Sequence, residues 1–331
     1  MLILRTDLGA GFLKRPAREA PDWKMRLLIA YDGSGSADDT LDDLRFAGLP
    51  SAGVEAVILS VAEMWLPQVS GVGENLAGTS TREAEEEGAK VLGEAATLGN
   101  HARSKLSAMF PGWDVSSRSM AGSPALEILT AADTYGPDLI VVGSQGRTAV
   151  GRLLLGSISQ KVLSEAKCSV RIGRSAAGER KDKRVIVIGF DGSPGSECAV
   201  DAVARRHWDG ECAIHLVTAS DTLVPTAIGR FIPPVVKWVE EEVKTERETI
   251  RKLAEGAFLR LESAGCGVDL KVRNGNPKQV IVEEAERLGA DCVFLGAHSY
   301  SSKLERFLIG STSSAVAARA HCSVEIVRPG S

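Results

Sequence analysis

Apolar residues are laid along this chain in two ways: short runs that are almost uninterrupted, and longer stretches where they return every three or four positions. The short runs fall near 26–31, 54–61, 113–119, 138–142 and 168–172, and again near 185–190, 212–218, 267–273, 291–295 and 322–327. A strand with one wet face must alternate, so runs that do not alternate are read as parallel strands covered by helices on both faces. The helical period fills the gaps between them and is longest over 80–110, where Ala, Glu and Leu are frequent, and over 234–263. Ser193-Pro194, just after one of the runs, has the form of an N-cap followed by proline at the first helical position. This exchange of strand and helix predicts an α/β fold built on parallel sheets.

The pattern occurs twice. Arg26-Leu-Leu-Ile-Ala-Tyr-Asp32-Gly-Ser34 returns as Val185-Ile-Val-Ile-Gly-Phe-Asp191-Gly-Ser193, 159 positions later. Gly122-Ser-Pro124 matches Gly275-Asn-Pro277, and Asp138-Leu-Ile-Val-Val-Gly143 matches Asp291-Cys-Val-Phe-Leu-Gly296, both at an offset of 153. Gly156-Ser157 and Gly310-Ser311, then Cys168-Ser-Val170 and Cys322-Ser-Val324, match at 154, which puts one inserted residue between Gly296 and Gly310. Two tandem repeats of five strands each follow, at 25–173 and 184–331. They are joined by a small, charged linker over 174–183. The last strands, Ser169-Val-Arg-Ile172 and Ser323-Val-Glu-Ile-Val327, would each leave an exposed edge, so the two are expected to pair with each other within one chain. Residues 1–24 precede the first repeat and have no counterpart in the second; they read equally as an upstream start and as a flexible arm.

Composition narrows the function classes. With 44% hydrophobic and 25% charged residues in 331, the chain can bury a sizeable core, and its net charge of −4 supplies no basic field for a nucleic acid backbone. No apolar stretch approaches the length of a membrane span, and the N-terminus lacks the apolar core of a signal peptide. Six cysteines without a CxxC pair, most within apolar runs, suit reduced thiols in a cytoplasm. Cys168 and Cys322 read as packing residues, as do Trp238 and Phe258 in their helical runs. His298 and His321 lack partners at metal-ligand spacing.

Open parallel sheets bind ligands beyond the carboxyl ends of their strands. Here the first strand ends in Asp32-Gly-Ser and the fourth in Gly143-Ser-Gln-Gly146, followed after nine residues by Gly156-Ser157-Ile-Ser159. Glycines let a backbone approach phosphate, and amides and Ser hydroxyls at a helix start can donate to it. The spacing alone is a weak signal, and its place after a buried strand gives it weight. Asp38 stands at the third glycine position of a dinucleotide motif, and no GxxxxGK[ST] occurs, so neither a Rossmann dehydrogenase nor a P-loop ATPase is supported. Taken singly, Asp32 and Asp191 are as well explained by turn-making, the glycines by loop entry, and Arg147 and Arg152 by solvation.

Taken in order, the strand-terminal Asp-Gly-Ser, the Gly-x-Pro before a helix, the apolar strand leading into G-x2-G-x9-G-S and the short final strand resemble the universal stress protein family. The resemblance spans nearly the whole chain after residue 24. It implies an adenine nucleotide alpha hydrolase-like α/β sandwich in each repeat, and its motif-bearing members bind ATP. Carried over by position, Asp32 would face the adenine, Val61 would line the base, and Val142 and Gly143 would flank the ribose. Gly146, Gly156, Ser157 and Ser159 would hold the phosphates, with Mg as the companion ion. In the second repeat Asp191, Val217, Gly296, Gly310, Ser311 and Ser313 keep part of the pattern, but Ser299 replaces a glycine and the loop is one residue longer. The expectation is therefore a stress-response regulator binding ATP in the first repeat, with slow hydrolysis as an option. It would have a regulatory protein partner, and its chains could pair through final strands or helices. A nucleotide-free scaffold and an ATP-using transferase are the competing classes.

Overall fold

The computed structural model describes residues 24–63, 79–146, 155–175, 183–208, 210–220, 233–297 and 309–329, with backbone only over 79–85, 233–243 and 246–247. The first repeat runs β1 (Met25–Ala30), α1 (Gly35–Asp43), β2 (Ala52–Glu63), α2 (Thr79–Met109), β3 (Gly112–Gly122), α3 (Pro124–Tyr135), β4 (Leu139–Gly143), α4 (Ser157–Glu165) and β5 (Ser169–Gly173). The second follows as β6 (Lys183–Gly189), α5 (Pro194–Ala204), β7 (Glu211–Ser220), α6 (Pro233–Ser263), β8 (Gly267–Asn274), α7 (Pro277–Leu288), β9 (Cys292–Gly296), α8 (Ser311–Arg319) and β10 (Ser323–Val327). The side chain of Trp238, the inserted residue before Gly310, and Arg147, Arg152, His298 and Ser299 fall outside the described side chains.

The strands form one ten-stranded sheet in the order β3-β2-β1-β4-β5-β10-β9-β6-β7-β8. Neighbours are parallel except at the centre, where β5 meets β10 antiparallel through Ile172↔Val324, Arg171↔Glu325 and Val170↔Ile326. The expected internal pairing of the last strands is what joins the repeats, and it leaves neither of those edges open. Within each half the strand order reverses between first and fourth strands, which opens a crevice at their carboxyl ends.

Local chemistry sets several boundaries. Asp138 and Asp291 were expected to start strands, but each precedes its strand and clips it to the first strand of its repeat: Asp138 Oδ2 accepts from the Arg26 amide and Asp291 Oδ2 from the Val185 amide, both at 2.8 Å. Ser34 and Ser193 cap α1 and α5 by accepting from the Ala37 and Ser196 amides. Gly136 and Gly289 end α3 and α7 at φ of 61° and 60°, a left-handed conformation that favours glycine.

The sheet's two faces are covered differently. On one, a continuous core runs through both halves, from Leu28, Ile140 and Val170 to Val324, Val293 and Val187, under α3, α4, α7 and α8. On the other face each half has its own core, around Leu41, Ile58 and Leu106 in the first and around Val200, Phe294 and Leu261 in the second. Phe258 packs on the latter.

Two buried arginines tie the halves reciprocally. Arg174 donates to the carbonyls of Ala317 (2.6 Å) and Cys322 (3.3 Å) in the second repeat, and Arg328 to those of Leu163 (2.6 Å) and Cys168 (3.2 Å) in the first. A cation suits the carbonyl end of a helix, so each arginine caps a helix of the opposite half. Burial pulls both guanidinium groups below the usual arginine range, Arg328 to about 10. Arg328→Ala removes charged hydrogen bonds from carbonyls of a repeat to which residue 328 does not belong, and should cost about 2–3 kcal/mol in urea unfolding. Burial also pushes the thiols of Cys168 and Cys322 up to about 12, so both stay protonated at neutral pH. Iodoacetamide should label these two positions only in the denatured chain, as read by peptide mass analysis.

Candidate functional site

A cavity of about 490 Å³ opens where β1, β2 and β4 end, walled by α2 and α3 and closed by the start of α4. Asp32, Val61, Val142, Gly143, Gly146, Gly156, Ser157 and Ser159, separated by up to 127 positions along the chain, all line it. The sequence had singled out all eight, six by strand ends and spacing and Val61 and Val142 through the family resemblance. It had not singled out the α2 wall, where Val91, Ala95 and Leu98 face the cavity at helical spacing, nor Ser36, Glu63, Glu94 and Gln145. The helical stripe on α2 was the signal available for part of that wall, but a stripe does not say which partner it covers.

Asp32 leaves β1 through a turn in which its Oδ1 accepts from the Ser34 amide at 2.9 Å, with Gly33 at a φ of 76°. A Cβ at Gly146 would lie 3.4 Å from Asp32 Oδ2 and, among the described residues other than its chain neighbours, within 4 Å of no other heavy atom. Glycine at 146 therefore keeps the space beside the carboxylate open. At Gly143 the reason for glycine is different, because a Cβ there would come within 3.1 Å of Ser36 Oγ on α1. Ser36 Oγ in turn accepts from the Gln145 amide at 3.3 Å and lies 3.3 Å from Ser144 Oγ, which fixes the loop leaving β4.

The loop is pinned at its far end as well. The Gly156 amide donates to the Ser144 carbonyl at 2.8 Å, and the Ser159 hydroxyl donates to the Gly143 carbonyl at 2.6 Å. What Ser159 and Gly156 supply is thus a fixed loop. The amides in the first turn of α4 have no carbonyl within their own helix and lie at the cavity wall.

The base end of the cavity is set by unequal strand lengths. The Tyr31 amide donates to the Leu59 carbonyl at 3.0 Å, and the β1–β2 register ends at Ala30↔Leu59, whereas β2 continues beside β3 to Glu63↔Gly122. Main-chain groups point alternately to the two neighbouring strands. Those of Val61, two residues past Leu59, therefore point to the side that β1 has left.

The second repeat keeps the frame and differs at the mouth. Asp191 accepts from the Ser193 amide at 3.0 Å, Ser313 donates to the Gly296 carbonyl at 2.7 Å, and Gly310 and Ser311 begin α8. Val217, however, is not the counterpart of Val61. Its carbonyl accepts from the Phe190 amide, as that of Leu59 does from Tyr31, so Ala219 holds the place of Val61. Leu295 stands at the position of Val142, and a Cβ at Gly189, the counterpart of Ala30, would be 2.3 Å from its Cδ2. A Cβ at Gly296 would be 2.3 Å from the Gly195 carbonyl carbon, so the start of α5 sits closer to β9 than α1 does to β4. Leu295 thus takes the space that a Cβ at 189 would need, an exchange of bulk between neighbouring strands relative to Val142 and Ala30.

Among the described residues, no helix is long and apolar enough to cross a membrane, and no group of three or more His, Cys, Asp and Glu is arranged to hold a metal.

The profile of the universal stress protein family matches residues 25–174 and 183–328. A universal stress protein of Mycolicibacterium smegmatis is 32% identical over 197 residues, 58% of this chain and 62% of that protein, so less than two thirds of its length is matched. One from Thermus aquaticus is 35% identical over 150 residues, 45% of this chain and 97% of that protein. The crystal structure of a universal stress protein from Archaeoglobus fulgidus superposes with a TM-score of 0.52, covering 92% of this chain and 96% of its own at 24% identity, which speaks to the fold. Matched through both of its repeats, this chain belongs to the universal stress protein family.

Proposed function

We propose that the protein is a stress-response regulator that binds an adenine nucleotide, ATP, in the cavity of its first repeat, and that its second repeat has kept the fold without a working site. The observation that carries this reading is the convergence of all eight motif residues on one cavity of about 490 Å³, a volume in the range of small-molecule sites. The amide and carbonyl of Val61 offer a donor beside an acceptor, which suits the N1 acceptor and N6 amino donor of adenine and opposes the N1–H and O6 of guanine. Apolar walls from Val91, Ala95 and Ile128 suit a planar base. Phosphates fit the start of α4, where the first-turn amides and the Ser157 hydroxyl meet the helix dipole. A Mg ion would arrive with the phosphates, held by them and by water. Ser299 in place of a glycine and the one-residue-longer loop before Gly310 support an inactive second repeat.

The direct test is mass analysis of nucleotide released from the purified protein, followed by calorimetric titration. Adenine nucleotide is expected; neither copurified nucleotide nor any heat with ATP would leave the scaffold reading. Gly146→Glu places a second carboxylate beside Asp32 and should abolish ATP binding, while Gly146→Ala should leave the fold intact. Ser157→Ala, losing one donor to a charged group, should weaken ATP about tenfold. GTP should bind at least ~10-fold more weakly than ATP, because its base would leave both main-chain groups of Val61 mismatched. Equal heats for the two nucleotides would show that the base is not read there.

A further inference from the structure

The antiparallel centre of the sheet carries charges that break the symmetry of the repeats. Arg171 and Glu325 occupy the same position in their repeats and face each other across β5 and β10. Arg171 is fully buried; its Nε and Nη2 donate to Asp43 at 2.7 and 3.2 Å, and its Nη1 to Glu325 Oε2 at 3.2 Å. Arg206 completes the cluster by donating to Glu325 Oε1 and to the Ala47 carbonyl. Its guanidinium also lies over the Phe294 ring.

Aligning the repeats at Asp32 and Asp191 puts Ala202 where the first repeat has Asp43, and Ala47 where the second has Arg206. One half thus brings Asp43, Arg171 and a small residue at 47; the other brings a small residue at 202, Glu325 and Arg206. Sign and size are inverted at each of these positions. Pairing two first halves would set Arg171 against its own copy and leave a gap at each Ala47. Pairing two second halves would set Glu325 against Glu325 and drive two Arg206 side chains into one another. Like charges directly opposite each other on paired strands destabilise the pair, and burial raises that cost.

We propose that this seam is an address: each final-strand face accepts the opposite half of a chain and rejects another copy of the same half. The last strands then close the sheet within the chain and take no part in homotypic assembly.

The test uses full-length chains carrying Arg171→Glu, Glu325→Arg, or both, with stability read by urea unfolding and mass by light scattering. Each single variant places like charges across the seam and should lose at least 100-fold in its folding constant. The double variant restores opposite charges between 171 and 325, leaving like charges only against Asp43 and Arg206, and should be at least tenfold more stable than the product of the two losses. When the two single variants are unfolded together and refolded, exchange of halves sets opposite charges across both seams, and a species of two chains, one of each kind, should form in the mixture only. Losses that simply multiply in the double variant, or a mixture that refolds like its separate components, would overturn the proposal. If neither single variant folds, the same cycle is read with Arg171→Met and Glu325→Met, where a coupling of tenfold or more supports the proposal and losses that simply multiply overturn it.

Discussion

Each repeat's sheet has one edge at its fifth strand, where a row of hydrogen-bonding groups faces outward, and in this protein β5 and β10 satisfy those groups in each other. The β5–β10 ladder is short, with three residue pairs in its register, yet it determines much else. It turns two sheets into one, lets one hydrophobic core run through both repeats on one face, and brings Arg174 and Arg328 to the helix ends they cap. On the opposite face the same crossing brings together the charges of Asp43, Arg171, Glu325 and Arg206 between two separate cores.

The cavity has a similarly simple origin, a difference in length between neighbouring strands. Because β1 stops at Ala30 while β2 runs on to Glu63, a stretch of main chain is uncovered at the strand ends, and the loop after β4 is held over it by Ser36 and Ser159. The second repeat keeps the Asp191 turn and the Ser313 tether and packs its strand ends with different residues, Leu for Val at 295 and Gly for Ser at 195.

Much of this was legible along the chain. Self-similarity identified two repeats, and uninterrupted apolar runs located all ten strands, with ends displaced by at most three residues because clips such as Asp138 and ladders such as Glu63↔Gly122 set the limits. The glycine and serine spacing picked out Gly143, Gly146, Gly156, Ser157 and Ser159, and the family resemblance added Val61 and Val142, all of which line the cavity. The correspondence of Val61 to Val217 was not legible correctly, since only strand register, a contact distant in sequence, assigns that place to Ala219. Ser159 read as a phosphate donor because a hydroxyl at a helix start looks the same whether it faces a ligand or a carbonyl. Arg171 and Glu325, each in an otherwise apolar strand, were not singled out, because their burial depends on which strand lies opposite.

Helix α4 begins at the cavity and, through the Leu163 carbonyl near its other end, is gripped by Arg328 of the second repeat. Nine residues of helix make a strut of roughly 13 Å, stiff along its length. Its foot rests on the pinned loop and its head is held just beyond the last strand of the chain. A displacement of α4 along its axis is therefore resisted by the opposite half, so load applied at the mouth of one repeat is borne by the terminal segment of the other.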